Sequence, residues 1–284
     1  MNIALTGSSG LIGSNLASDL QGNGHKVMQI SSSHSNSNER VFSYDEIISE
    51  KRSLKVDCMI HLASINSNLS ESQIKDEVYL SELAIKFMKV LDCRKIIFFS
   101  SIKVYGENSF ENMEFTEESI LNPICNYGVA KESCEKLIIR KSLSEGFSYF
   151  IFRLPPVFLN NPKSNLGKLF LFVEKRFPLP SFRIGDVNKR SIVSYEILLS
   201  GVLKLLDNQG NRANEIYNFS DSNTISTNDL IKKIANIHNR KPLIIYFPDF
   251  IFSLMMRSNK LQSVLVRIFG SCNISIEKFN RDFS

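Results

Sequence analysis

The sequence predicts an α/β fold, a doubly wound parallel sheet with a smaller carboxyl-terminal lobe, and three observations carry that reading. Short apolar runs alternate with helix-period segments over the first two thirds of the chain. The first run leads straight into a glycine-rich turn, "NIALTGSSGLIG". A later run, "KIIFFSS", sets four apolar residues in succession, as a strand covered on both faces requires. Alternation of this kind builds a parallel sheet with helices on both sides.

Ile3, Ala4 and Leu5 form the first strand, and Leu16, Ala17 and Leu20 mark the helix after the turn. A strand, a glycine-rich turn and a helix start make a phosphate-binding unit, because glycine lets backbone approach a diphosphate closely. The glycines at 7, 10 and 13 space as G-x-x-G-x-x-G, not as G-x-G-x-x-G. A tight turn that binds nothing would look the same. "GNGHKVMQI" reads as a turn and second strand, and "SSSHSNSNE" after it as a surface loop. "VDCMIHLAS" is a further strand, and residues 71–92 a helix with Val78, Leu83, Ala84, Phe87, Met88 and Leu91 on one face. After "KIIFFSS" come a helix at about 126–145 and the strand "SYFIFRL". Beyond residue 155 the prolines at 155, 156, 162, 178 and 180 break the regularity. The expected division is a sheet core over 1–155, with one more sheet strand later, and 156–284 mainly as a lobe interleaved with the core.

With 284 residues, 43% of them hydrophobic, the chain can bury a sizeable core. "PLIIYFPDFIFSLMM" is its most apolar late stretch, but Pro248 and Asp249 interrupt it and it is shorter than the roughly 20 residues of a membrane span. No signal peptide precedes the first strand, and five scattered cysteines without a C-x-x-C pair suit reduced thiols and no metal site. A cytoplasmic protein is expected. The net charge of +5 is mild and its bases are interspersed with acids, so no nucleic-acid stripe is apparent.

"NYGVAKE" places Tyr127 and Lys131 a turn apart on one helix face. A free phenol titrates near 10, and a neighbouring ammonium lowers that value, giving a usable general acid–base. A half-buried tyrosine beside a surface lysine would show the same spacing. Ser100 and Ser101 end the strand "KIIFFSS", at the edge where open α/β sheets place ligands. Such serines can hydrogen-bond a substrate oxygen, or simply cap the next turn.

Taken together, T-G-x-x-G-x-x-G, "SSIKVYG" and Y-x-x-x-K, in that order, resemble the extended short-chain dehydrogenase/reductase family, in its nucleotide-sugar epimerase and dehydratase branch. The likeness extends over about residues 1–240 and includes "IHLAS". It implies a Rossmann core binding NAD(P) through Gly7, Ser9, Gly10, Leu11, Ile12 and Gly13, with Ser31, Leu62, Ala63, Tyr127 and Lys131 also on the cofactor. It implies a catalytic set of Ser101, Tyr127 and Lys131: the phenol exchanges a proton at the sugar C4 oxygen, Ser101 hydrogen-bonds that oxygen, and Lys131 holds the ribose. Asn165 and Arg190 match positions that meet the UDP moiety and its diphosphate, and Ser101 also counts as a substrate contact. A homodimer through the helices at 71–92 and 126–145 is compatible.

Dehydratases of this family carry an acid pair after the serine or threonine, whereas Ile102 and Lys103 stand here, so dehydration is not expected. Two reactions remain. "SSIKVYGE" leans toward the 4-ketoreductases of 4-keto-6-deoxy sugar nucleotides, of the UDP-N-acetylquinovosamine type. Ser31, Ser32 and Ser33, in place of an acid for the adenosine ribose, lean toward NADPH, with His34 or Arg40 near a 2′-phosphate. The alternative is a 4-epimerase of UDP-glucose or UDP-N-acetylglucosamine, and a third is a silent dinucleotide-binding protein. The asparagine that many relatives carry before the serine strand is replaced near Tyr79.

Overall fold

Strand β1 (Asn2–Thr6) lies inside a seven-stranded parallel sheet because both of its faces are apolar. The computed structural model describes residues 1–31, 41–43, 55–111, 113–159, 161, 166–207 and 212–284. In chain order β1 is followed by α1 (Leu11–Gly22), β2 (Lys26–Ser31), β3 (Val41–Ser43) and β4 (Cys58–His61). Next come α2 (Gln73–Val90), β5 (Lys95–Ser101), β6 (Glu114–Phe115), α3 (Asn126–Glu145), β7 (Ser148–Leu154) and β8 (Val157–Phe158). The later part holds α4 (Gly167–Glu174), β9 (Leu179–Ser181), α5 (Ile184–Val187), β10 (Val193–Ser194), α6 (Tyr195–Asp207) and β11 (Glu215–Asn218). It continues with α7 (Thr227–Ile237), β12 (Ile244–Tyr246), α8 (Asp249–Met255), α9 (Asn259–Phe269), β13 (Asn273–Ile274) and α10 (Glu277–Asp282).

The sheet runs β11-β7-β5-β4-β1-β2-β3. From β1 the chain moves outward through β2 and β3, then returns to the other side of β1 with β4 and continues to β5, β7 and β11. That reversal opens a crevice at the carboxyl ends of β1 and β4, where doubly wound sheets take their ligands. β3 was not visible in the sequence, since three residues are too few to show a period. β11, the late edge strand, pairs with β7 from Glu215 against Phe150 to Asn218 against Arg153.

Strand side chains alternate between two cores. Ile3, Leu5, Ile97, Phe99, Phe150 and Phe152 face Leu16 and Leu20 of α1, Leu198 and Val202 of α6, and Phe279 of α10. Ala4, Met59, Ile96, Phe98 and Ile151 face Leu83, Phe87 and Met88 of α2 and Leu137 and Ile138 of α3. Each large apolar side chain so covered stabilises the fold by roughly 1.5–3 kcal/mol. Phe158, Phe170, Leu230, Ile231 and Ile234 form a separate core for the later lobe. All five cysteines are free thiols, and burial raises the Cys58 pKa well above its usual value.

Candidate active site

The turn after β1 folds onto its own helix. Gly7 has φ +74°, and a Cβ there would lie 2.6 Å from the Ala63 nitrogen and 2.8 Å from the Leu62 carbonyl carbon. A Cβ on Gly13 would stand 2.2 Å from the Gly7 oxygen. The Gly10 N–H donates to that same Gly7 oxygen at 3.0 Å. The N-cap of α1 is Gly10, with no side-chain cap, so no side chain competes for the first N–H groups of the helix. Ser9 and Gly10 are exposed, with Leu11 and Ile12 partly so. Such a cradle, made of backbone and too tight for a Cβ, fits a dinucleotide's diphosphate. Leu62 and Ala63 wall it, and Ser31 ends β2 as a buried side chain in register with Ser43. Ser32, Ser33, His34 and Arg40 lie outside the described residues.

Beneath the cradle runs a buried polar chain that the sequence did not announce. The Thr6 hydroxyl meets His61 Nδ1 at 2.7 Å and accepts from the Ala63 N–H at 3.4 Å. His61 Nε2 meets the Ser81 hydroxyl at 3.0 Å, and the ring stacks on Phe98. Burial first, then the Lys131 charge, lowers the His61 pKa to about 3. An unfolded histidine takes up its proton near pH 6.5, so the unfolded chain binds more protons as pH falls from there toward 3. Stability is therefore lost through that window, by about 2 kcal/mol at pH 5. Urea unfolding of the protein and of His61→Gln at pH 7 and pH 5 checks this. The variant should lack this component of the pH dependence.

Tyr127 and Lys131 begin α3, and here the structure adds a third group. Lys131 is buried, its Nζ lying 5.6 Å from the centre of the Tyr127 ring and 5.0 Å from that of Phe98. It pairs at 3.0 Å with Glu77 Oε1 of α2, itself buried. Glu77 Oε2 accepts from the Ile65 N–H at 2.8 Å, so the carboxylate is held from two sides. Burial pushes the Tyr127 phenol up, Lys131 pulls it down, and Glu77 pushes it up again, leaving it above its usual value. Burial works against the Lys131 ammonium, but Tyr127 and Glu77 outweigh it and its pKa is raised. Removing the carboxylate takes away one of the influences that raise the phenol, although burial still works against the ammonium. In Glu77→Gln the ionisation of Tyr127, read as the ultraviolet titration difference from Tyr127→Phe, should move to lower pH. The lost buried pair should also cost roughly 3–5 kcal/mol of stability.

Ser101 and Ser100 point to opposite sides of β5. Ser101 Oγ accepts from the Lys103 N–H at 3.3 Å, capping the single 3-10 turn Ile102–Val104, and keeps its own proton to donate. Ser100 donates to Glu135, which pairs with Arg153 at 2.7 Å; Arg153 reaches Tyr105, and Tyr105 reaches Asn218. That second network ties β5, α3, β7 and β11 together. A Cβ on Gly128 would meet the Lys103 oxygen at 2.4 Å, so the glycine beside Tyr127 lets α3 close on the turn that follows Ser101. Ser101, Tyr127 and Lys131 thus sit on two elements in direct backbone contact.

Arg190 stands apart from this group, on the lobe. Its Nη1 donates to the Ile268 and Arg267 carbonyls at 2.7 and 3.3 Å, at the carboxyl end of α9. Burial lowers its pKa, and it forms no ion pair with any described carboxylate. Asn165 lies outside the described residues. Tyr79 is exposed, with Lys86 over its ring, so the α2 side chains that reach the Lys131 and His61 region are Glu77 and Ser81. A signal for them existed: Glu77, Ser81, Ala84 and Met88 fall on one buried stripe of α2, and a carboxylate on such a stripe needs a cation.

A family model described as the NAD dependent epimerase/dehydratase family matches residues 3–219. The UDP-glucose 4-epimerase of Vibrio cholerae is 23% identical over 288 residues, 97% of this chain and 87% of that protein. The UDP-N-acetylglucosamine 4-epimerase of Bacillus cereus superposes with a TM-score of 0.78 at 19% identity, over 100% of this chain and 93% of the other. A UDP-glucuronic acid 4-epimerase of Bacillus cereus, solved with NAD, gives 0.76 at 20% identity, over 100% and 91%. At such identities these two structures carry the fold alone.

Proposed function

This chain belongs to the NAD-dependent epimerase/dehydratase family, and from that premise we propose that it transfers hydride at C4 of a UDP-hexose, as a 4-epimerase. The observation that carries the reading is the Tyr127–Lys131 pair, its phenol half-buried and its ammonium buried, beside the end of β5 and on the same sheet edge as the glycine cradle. Gly7, Ser9, Gly10, Leu11, Ile12 and Gly13 would hold the NAD diphosphate, Leu62 and Ala63 would wall it, and Ser31 would face the adenosine end. When bound, the dinucleotide supplies the hydride acceptor and, on return, the hydride donor.

The residues supply position and protons. Tyr127 Oη takes the proton of the C4 hydroxyl during oxidation and gives it back on reduction. Lys131 holds the ribose and lowers the cost of the phenolate, while Ser101 donates to the C4 oxygen and accepts from Lys103. Arg190 and Asn165 would meet the diphosphate and nucleoside of the sugar nucleotide, a role that suits a guanidinium without a carboxylate partner among the described residues. Pairing of two copies through α2 and α3 is part of this reading.

A 4-ketoreductase is the second reading, and one observation favours it. Glu77 offsets the Lys131 charge and leaves Tyr127 a proton donor, the form a ketone needs first. Releasing any nucleotide from the purified, denatured protein separates the two. Stoichiometric NAD+ and conversion of UDP-glucose or UDP-N-acetylglucosamine to its epimer support the epimerase. An empty protein that prefers NADPH to NADH supports the reductase. An empty protein that binds neither overturns both.

A further inference from the structure

We propose that the face built from β12, α8 and α9 docks on an anionic lipid surface. Between residues 243 and 268 Leu265 alone is buried, although the stretch is rich in large apolar side chains. Helix α8 turns Ile251, Phe252 and Met255 inward onto Phe182 and its neighbours. A second side of the helix carries Phe250, 70% exposed, and Leu254, 61% exposed, one turn apart, and exposed Arg257 follows two residues past its end. On α9 the buried pair Leu265 and Phe269 occupies half of a wider apolar stripe. The other half, Leu261, Val264 and Ile268, is exposed. A surface helix ordinarily turns polar residues outward, and apolar side chains left exposed on two helices that pack on one shared cluster mark a binding face.

Charge indicates what covers it. Within residues 240–268, Arg240, Lys241, Arg257, Lys260 and Arg267 accompany the apolar residues against Asp249, and Asp186 adds one acid beside β12, accepting from the Tyr246 hydroxyl at 2.9 Å. None of the five forms an ion pair among the described residues. Lys260 and Arg267 lie along one edge of the exposed stripe of α9, as basic residues do on helices that lie in a lipid headgroup layer. A second copy of the chain set symmetrically on this face would bring these cations against their own counterparts. An anionic bilayer meets both the apolar residues and the basic ones. No helix among the described residues is long and apolar enough to cross a membrane, so the contact is peripheral.

The test is sedimentation of the whole protein with phosphatidylcholine vesicles, with or without phosphatidylglycerol, at low and high salt. The protein should sediment with the phosphatidylglycerol vesicles alone, and salt should release it. Leu254→Ser should weaken the binding about tenfold. Lys260→Ala and Arg267→Ala should each weaken it about fivefold. Melting temperature should hold in all three variants, because each side chain is exposed. Failure to bind phosphatidylglycerol, or binding that all three variants leave unchanged, overturns the proposal. So does a dimer in lipid-free buffer that Leu254→Ser dissociates, which would make this face a contact between copies. None of these readouts depends on turnover.

Discussion

Tyr127→Phe is expected to lower turnover roughly 10²–10⁴-fold while cofactor affinity stays nearly constant. The substitution removes one oxygen and little else. The phenyl ring remains under the Lys131 ammonium, and the Lys131–Glu77 pair keeps both partners and its hold on the Ile65 N–H. Thus α3 has no reason to move, and the loss falls on proton transfer at C4. Single-turnover absorbance of the reduced nicotinamide, with the sugar nucleotide in excess, measures it directly. Full activity in this variant would remove Tyr127 from the proposed role.

Gly13→Ala should be nearly as damaging, through the cofactor instead of the chemistry. The added Cβ would meet the Gly7 oxygen at 2.2 Å, the Gly7 carbonyl carbon at 2.9 Å and the Ser8 Cα at 3.0 Å, all of them backbone. No side-chain rotation relieves such contacts, so the turn must open and the cradle loses its shape. Overpacking of this kind costs about 1–3 kcal/mol, and dinucleotide affinity should drop about 100-fold as the diphosphate contacts separate. Gly22→Ala is the control, since a Cβ there meets nothing within 4 Å. That change should leave affinity alone and stabilise α1 by about 0.5–1 kcal/mol. Calorimetric titration with NAD+ and thermal melts of both variants decide the matter.

What could be read from the sequence follows the strength of local signals. "KIIFFSS" and "SYFIFRL" became β5 and β7 with the expected bounds, because doubly covered strands show as unbroken apolar runs. The helix expected at about 126–145 runs from Asn126 to Glu145. The two-residue strands of the lobe, such as β8 and β10, were invisible, since their pairing comes from distant chain and no period fits in two residues. At the site, Y-x-x-x-K was legible because its spacing is local. Glu77 was not, because a charged residue on a helix usually reads as solvated. Its partner lies on another helix, and only the fold makes the carboxylate a neighbour of the lysine. His61 escaped for the same reason: Thr6, Ser81 and Phe98 come from three separate elements.

The placement of Phe279 has a consequence for how the chain is made. Its ring lies against Phe152, Tyr217 and Phe219, in the same core that holds Ile3 and Leu5. That core joins residues almost a whole chain length apart, so its closure is a late, high-contact-order event. During synthesis the strands from β1 to β7 emerge long before the ring that covers them. Until Phe279 has left the ribosome, one side of the nascent sheet keeps part of its apolar surface open to water, where chaperones can reach it and neighbouring chains can stick. The amino-terminal half can acquire its strands early, but it completes its folding only when residues near the other end arrive.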